Sequence, residues 1–589
     1  MPSSCTGVDG DTPCRMVGLA LAMACIPVAR QPSRLAARCR ACPALDCPPH
    51  RASHRMQAKR VLFQHPLAFW IGCALITAGV LAHLPMLLMG QHTHWRLVGM
   101  PMTMDMWIGM ALIPIGLALS FYALMPPRGR AESSTPQASA RYLHVADGVA
   151  LNREHWKLVL VLIVTLAIDV MKPATLGFVM PGLSAEYGLP RSHASLLALF
   201  ALTGTTVGSV VWGRIADRFG RRAAILFSAL MFIGTAICGA MPTFEWNLAM
   251  CFLMGASAGG LLPIAFTLMA ETVPARHRGW LMVALGGIGT SAGYMIAAGS
   301  AAWLEPLFNW RVLWLLGLPT GAVIIFLNRF IPESPRFLAA MGRHQESHAV
   351  LRRFAGAKQA LEADDPAHPG PPVIDESHPV SGIRPLMRGR HARISWALLV
   401  CGTGWGLANF GFLLWLPTNL KELGVDPAAA SALLAKSAFL ALPGIAVVIL
   451  LYQRWSSFKA LVLFIALTAA VLLGFAALAA FELRSASVTT AATAALLICV
   501  SGVIAMLIPY AAEIYPVHLR GSGSGVIAAS SKFGGILGAA LALFSFFDHF
   551  ALSALVLALP MALSAVMLWR SGVETRGIAL EDIQSALRE

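Results

Sequence analysis

From Pro66 to Arg570 the chain is dominated by apolar runs of about 20 residues, the length that crosses the roughly 30 Å hydrocarbon core of a bilayer as a helix. Fourteen can be placed: Pro66–Met89, Met104–Met125, Trp156–Met180, His193–Gly213, Ala223–Met241, Trp246–Ala270, Trp280–Leu304, Trp310–Ile331, Ile394–Leu420, Ala428–Tyr452, Phe458–Phe481, Val488–Ala512, Gly521–Phe547 and His549–Arg570. Lipid offers no partner to a backbone amide, so each run satisfies its hydrogen bonds internally. The expectation is an all-α membrane protein of 14 spans. Only 12% of residues are charged and 57% are apolar, where a soluble domain carries about 25% charged residues. That excludes a disordered chain, a disulfide-stapled secreted fold and a one-helix receptor.

The net charge of +15 belongs to the loops and calls for no nucleic-acid partner. Short loops on one side of the last twelve spans carry nine basic residues: Arg214, Arg218, Arg221, Arg222, Arg276, Arg278, Arg454, Lys459 and Arg520. The opposite loops carry four, Arg191, Arg311, Lys421 and Arg484. Excess Lys and Arg marks the cytoplasmic face of an inner-membrane protein, and an even number of spans puts both termini there. The domain expectation is residues 1–55 as an extension, unstructured or outside the native chain; 56–127, two added spans; 128–155, a cytoplasmic linker; 156–331, six spans; 332–393, a cytoplasmic connector; 394–570, six spans; and 571–589, a cytoplasmic tail. An internal repeat supports the division. Glu271-x-x-Pro274-x-x-x-Arg278-Gly279 recurs 242 residues later as Glu513-x-x-Pro516-x-x-x-Arg520-Gly521, as halves related by an axis along the membrane normal would require.

Six cysteines lie in the first 47 residues, and Cys39-x-x-Cys42 with Cys47 lacks the second ligand pair of a metal site. Cys73, Cys238, Cys251, Cys401 and Cys499 sit in spans as small hydrophobes. The added spans hold His83, Met86, Met89, His92, His94, Met100, Met102, Met104, Met106 and Met110, soft ligands that also serve as ordinary helix filler, so no metal is expected.

Gly213-Arg214-Ile215-Ala216-Asp217-Arg218-Phe219-Gly220-Arg221-Arg222 joins two spans. Its glycines permit a tight turn, and Asp217 can accept from a helix N-terminus or an arginine. The order Gly-x-x-x-Asp-Arg-x-Gly-Arg-Arg resembles the signature of the major facilitator superfamily. Glu271 to Gly279, Pro332-Glu333-Ser334-Pro335-Arg336-Phe337-Leu338 and Glu574 to Ile583 look like its sugar-porter and organic-ion branches. The resemblance covers Trp156 to Ile583 and implies a major facilitator fold: two six-helix bundles around a central site alternately open to either side, here with two additional N-terminal helices. It also implies a cytoplasmic latch of Gly213, Asp217, Arg218, Gly220, Arg221, Arg222, Glu271, Arg278, Glu333 and Arg336, with Glu513 and Arg520 in the second half. The second-half loop, Tyr452-Gln453-Arg454-Trp455-Ser456-Ser457-Phe458-Lys459, has no Asp or glycine, so an asymmetric latch is expected.

A charge at the centre of a span costs about 2.5 to 3.5 kcal/mol and therefore faces a cavity or a partner. Asp169 lies deep in a span with Lys172 at i+3 on the same face, and Pro173 frees the Asp169 carbonyl. Lys436 and Lys532 lie at similar depth, a positive surplus that suits an anion. Asp169 is the expected proton carrier; Lys172, Lys532, Lys436, Asn409, Trp405, Phe410 and Thr203 are the expected substrate contacts, with Trp415 nearby. No nucleotide-binding loop or nucleophile elbow is present, so no enzyme is expected. The reading is a monomeric secondary transporter in the lipid bilayer of the inner membrane. It takes up a small organic anion with protons and uses an ion gradient instead of a cofactor. The alternatives are a proton-linked drug or metabolite exporter, a neutral-sugar porter and a non-transporting sensor.

Overall fold

The computed structural model describes residues 65–124, 149–341, 343–355, 387, 389–422, 427–481, 485–515 and 517–575. The expected extension at 1–55, most of the linker, the centre of the 332–393 connector and the end of the tail lie outside the described residues. Fourteen helices are long and apolar enough to cross a membrane. They are α1 (Pro66–Thr93), α2 (Met104–Leu124), α3 (Arg153–Tyr187), α4 (Ser192–Phe219), α5 (Arg221–Ala240), α6 (Phe244–Thr272), α7 (Arg276–Phe308), α8 (Val312–Phe330), α9 (His391–Thr418), α10 (Ala429–Arg454), α11 (Ser457–Ala480), α12 (Ser487–Ile514), α13 (Gly523–Leu543) and α14 (Ala551–Ser571).

Helix ends follow local chemistry more than hydropathy. Asn152 caps α3, its Oδ1 accepting from the amides of Glu154 and His155 at 3.0 Å each, and Gly188 at φ 62° ends the helix. α3 therefore starts ahead of the apolar run that announced it. The 332–393 connector contains two short helices, Pro335–Ala340 and His344–Ala355. The second docks on the start of α3, where Asn152 donates to the Phe354 carbonyl and Arg353 pairs with Glu154.

α3 to α8 and α9 to α14 form the two halves, packed along α3 with α9, α4 with α13, and α7 with α10 and α12. A Cβ on Gly177 of α3 would stand 2.5 Å from the Leu414 carbonyl oxygen of α9, so the halves touch backbone to backbone on the face opposite the arginine-rich loops.

The added α1 and α2 form an antiparallel pair held by reciprocal glycines. A Cβ on Gly79 would meet the Gly109 carbonyl at 2.7 Å and one on Gly109 the Gly79 carbonyl at 2.6 Å; Gly72 and Gly116 repeat the relation at 2.7 Å each way. Such close approach tolerates no side chain, which is how small residues hold helices together in lipid. The pair packs on α5, with Phe121 of α2 against Phe227 of α5 and Phe219 at the end of α4. Its connecting loop is tied down by the Leu97 amide, which donates to Glu186 Oε1 at 2.9 Å.

Glu186 belongs to a buried network at that end of the first half. Arg311 donates to both of its oxygens, at 2.7 Å and 3.2 Å, and to the carbonyls of Gly239 and Met241; Trp310 Nε1 adds a bond at 2.9 Å. Arg311, expected as an outer-loop charge, is 0% exposed. The chain re-enters the bundle at Asn309, which takes φ 62°, immediately before the apolar run resumes at Trp310.

Candidate functional site

Between the halves lies a cavity with about 930 Å³ of empty space, lined from the first half by α3, α4, α6 and α7 and from the second by α9, α12 and α13. Its charged lining is Asp169 of α3 and Lys532 of α13, each within range of the other's field. The remaining wall is apolar or aromatic, with Trp405 and Phe410 from α9 and Tyr294 from α7. The rings of Trp405 and Phe410 meet edge to face, 5.9 Å apart, and Trp405 Nε1 is fixed by a 2.7 Å bond to the Val500 carbonyl. Two buried polar atoms on lining residues have no hydrogen-bond partner, Asp169 Oδ1 and the Tyr294 hydroxyl. Buried polar groups are almost always paired, so this pair of orphans in one cavity suits a polar ligand.

Of the expected contacts, Asp169, Lys532, Trp405, Asn409 and Phe410 line the cavity together. Asn409 and Phe410 sit in a π-helical stretch of α9, Leu407–Leu413, of the kind frequent at functional sites. Three expectations are corrected. Lys172 turns away from Asp169: its Nζ donates to the Phe232 carbonyl and to Thr235 Oγ1, both at 2.6 Å, and lies 4.0 Å from the centre of the Phe232 ring. Those partners mark the point where α5 tightens into a 3-10 turn, so Lys172 serves helix packing inside the first half. Lys436 is exposed on α10, and Thr203 is exposed on α4 with its hydroxyl on the Leu199 carbonyl; Thr205, two residues on, lines the cavity instead. Trp415 is buried outside the lining. Tyr294, Thr290 and Ser501 line the cavity and were missed, because Thr, Ser and Tyr in a span carry no charge signal.

The signature loop assembles around Arg221 and Glu333. Gly220 takes φ 102°, and a Cβ there would stand 2.3 Å from Glu333 Oε2, so only glycine lets the carboxylate reach the start of α5. Glu333 accepts from the amides of Arg221 at 2.7 Å, Arg222 at 3.3 Å and Ser334 at 3.0 Å, an anion on a helix N-terminus. Burial pushes the Glu333 carboxyl above the usual carboxylate range, opposed by these hydrogen bonds and by the Arg221 charge. Arg221 also reaches Glu271 at 3.3 Å and the exposed Asp217 at 3.5 Å. Arg278 donates to the Val273 carbonyl. Arg218 and Arg336 are exposed, and a Cβ on Gly213 would meet open space.

These bonds run within the first half. Glu513 is the expected latch residue that touches both halves: it accepts from Tyr452 at 3.1 Å and Thr575 at 2.6 Å, while a Cβ on Gly279 of α7 would stand 3.0 Å from its Oε1. The Arg520 side chain lies outside the described residues. The second-half loop is less different than its sequence suggests. Glu574 accepts from the Ser457 amide at 3.0 Å and from the Ser456 and Ser457 hydroxyls, capping α11 as Glu333 caps α5. The cap is common to both halves, and the hydroxyls of Tyr452 and Thr575 are among the partners of Glu513.

The model of the Major Facilitator Superfamily matches residues 158–539. Among curated proteins, a niacin transporter of Acinetobacter baylyi is 27% identical over 74% of this chain and 98% of its own length. A 4-hydroxybenzoate transporter of Pseudomonas aeruginosa is 28% identical over 71% of this chain and 93% of its own. Among solved structures, a partially occluded inward-open form of the xylose transporter XylE from E. coli covers 73% of this chain and 100% of its own, with TM-score 0.58 and 16% identity, which speaks for the fold alone. The matched family model, the two packed halves and the central cavity together place this multi-pass membrane protein in the major facilitator superfamily, as a transporter and not an enzyme.

Proposed function

We propose that the chain imports a small aromatic carboxylate together with a proton, by alternating access at the central cavity. The observation that carries this is the composition of the cavity: one cation, one carboxylate and aromatic walls. Lys532 is placed to pair with a substrate carboxylate, and Trp405 and Phe410 to flank a flat ring. An anion held by Lys532 takes up the field that otherwise stabilises ionised Asp169, so anion and proton arrive together and the loaded cavity gains no net charge. The names of the relatives support the reading, since niacin and 4-hydroxybenzoate are both ring carboxylates. The distribution of basic residues supports an arginine-rich face in the cytoplasm, with both termini on that side of the inner membrane. A proton gradient supplies the drive, with no cofactor.

Proteoliposomes loaded with buffer and given an inward proton gradient test this with radiolabelled nicotinate and 4-hydroxybenzoate, against xylose as a neutral control. Asp169→Asn should abolish gradient-driven accumulation and spare exchange between two loaded compartments. Lys532→Gln should weaken binding by about 2 to 5 kcal/mol, the usual loss when one partner leaves a desolvated charge pair. Carboxylate uptake that survives Lys532→Gln, or xylose uptake equal to that of the acids, overturns the reading.

A further inference from the structure

We propose that the hydroxyl of Tyr294 is the specificity-determining group of the central cavity, and that it reads a second, neutral hydrogen-bonding group on the substrate ring, meta or para to the carboxylate. The inference rests on the reading of the cavity as a site for a ring carboxylate held by Lys532, and it narrows that class to rings with a polar group at the edge far from the acid.

The two halves meet along two seams, α4 with α13 and α7 with α10, and α4, α13 and α7 all contribute to the lining of the cavity. Lys532 comes from the first seam and Tyr294 from the second, so the cation and the hydroxyl belong to different walls. A rigid ring with its carboxylate on Lys532 and its faces against Trp405 and Phe410 therefore presents its opposite edge to α7. Tyr294 is held firmly there. A Cβ on its neighbour Gly293 would stand 2.6 Å from the Ala167 carbonyl oxygen of α3, so the two backbones are in contact at this level, and the Tyr294 ring lies 5.9 Å from that of Phe178.

Three other donors on the lining are committed to backbone carbonyls. Thr205 Oγ1 donates to Ala201 at 2.8 Å, Thr290 Oγ1 to Gly286 at 2.7 Å and Trp405 Nε1 to Val500 at 2.7 Å. The Tyr294 hydroxyl, on a residue 9% exposed, has no partner. Asn409 also lines the cavity, but it is half-buried and can keep water. Because a phenol both donates and accepts, the Tyr294 hydroxyl can pair with a hydroxyl, an amine or a ring nitrogen. The group it meets is neutral: the charged lining holds one cation, Lys532, which the carboxylate takes, and a second anion beside Tyr294 would be buried without a counter-charge. A ring without such a group leaves the buried hydroxyl unpaired, and that cost is the source of discrimination.

The test is equilibrium binding to the full-length protein in detergent, by titration calorimetry with 4-hydroxybenzoate, benzoate, 4-methylbenzoate and terephthalate. 4-Methylbenzoate matches the hydroxy acid in size without its hydrogen bond, so the comparison needs no variant. The wild type should bind 4-hydroxybenzoate about tenfold or more tightly than benzoate and 4-methylbenzoate, and terephthalate no more tightly than benzoate. Tyr294→Phe should bring 4-hydroxybenzoate down to the level of benzoate and leave benzoate binding unchanged, a split that a merely structural role of the ring would not produce. The inference is overturned if the wild type binds the three monoacids alike, if terephthalate matches 4-hydroxybenzoate, or if Tyr294→Phe keeps the preference for the hydroxy acid. A wild type that binds none of the four acids overturns the carboxylate reading itself, and this inference with it.

Discussion

Arg311→Met isolates the cost of one buried charge. In the wild type the Arg311 guanidinium and the Glu186 carboxylate are 0% and 3% exposed, and 2.7 Å apart at their closest. Methionine fills the space of the stem and leaves Glu186 with two neutral donors, Trp310 Nε1 and the Leu97 amide, each at 2.9 Å. A buried carboxylate stripped of its cation costs about 3 to 5 kcal/mol. Adding Glu186→Gln removes the charge; Trp310 Nε1 and the Leu97 amide donate to different carboxylate oxygens, so the amide oxygen keeps one of them and the other donor is left facing the new NH2. Met241's carbonyl keeps the Tyr187 hydroxyl at 3.0 Å, and the Gly239 carbonyl is an orphan in both variants. The orphaned donor costs about 1 to 3 kcal/mol where the unpaired charge costs about 3 to 5, so the double variant should regain roughly 2 kcal/mol over the single. At about 2 °C per kcal/mol, Arg311→Met should unfold roughly 6 to 10 °C below wild type, with the double variant between them. Thermal unfolding in detergent, followed by size-exclusion monodispersity, reads this directly. A double variant no more stable than Arg311→Met would mean that water reaches Glu186 and that the charge is not buried.

Glu333→Gln should change the pH dependence of stability. Because burial holds the Glu333 carboxyl above the ordinary glutamate value of 4.5, the folded chain binds that proton more tightly than the unfolded one, and this group's contribution falls as pH rises from 4.5 through the folded value. Wild type minus Glu333→Gln should therefore shrink over that window in thermal midpoints measured from about pH 4 to pH 7; a growing difference refutes the assignment. Gly109→Leu should part α1 from α2, since its first side-chain atom already falls 2.6 Å from the Gly79 carbonyl. Overpacking of about 1 to 3 kcal/mol corresponds to a fivefold or greater rise in the alkylation rate of Cys73, which sits half-buried on α1. An unchanged rate would show that the glycines are not the contact.

The sequence carried the spans, the signature loop and the 242-residue repeat because each is a matter of spacing along the chain. What it could not carry is helix rotation. Thr203 and Thr205 are about 200° apart on a helix, and a span boundary uncertain by two residues cannot say which one faces the cavity. Lys172 misled for a related reason: at i+3 it shares a face with Asp169, yet its long stem reaches the Phe232 carbonyl on α5, leaving Lys532 to face the aspartate across the cavity. Glu574 was visible as part of a tail motif, but its action on Ser457 joins residues 117 apart in the sequence and has no local signature. Gly72, Gly79, Gly109 and Gly116 did carry one, two heptad-spaced pairs, and a search for small-residue spacing would have found the hairpin contact.

The bond from Leu97 to Glu186 makes the added helices passengers of the first half alone. Under the alternating access proposed above, eight helices travel as one body against six, and the larger body displaces more lipid for the same swing. With drag taken in proportion to helix number, 8 to 6, bilayer viscosity divides the angle unevenly: α9 to α14 take about four sevenths of it in the membrane frame and α1 to α8 about three sevenths. A fluorophore on the outer surface of α14 should report larger reorientation during transport than one on α2, although the relative rotation between the halves is the same whichever is taken as fixed.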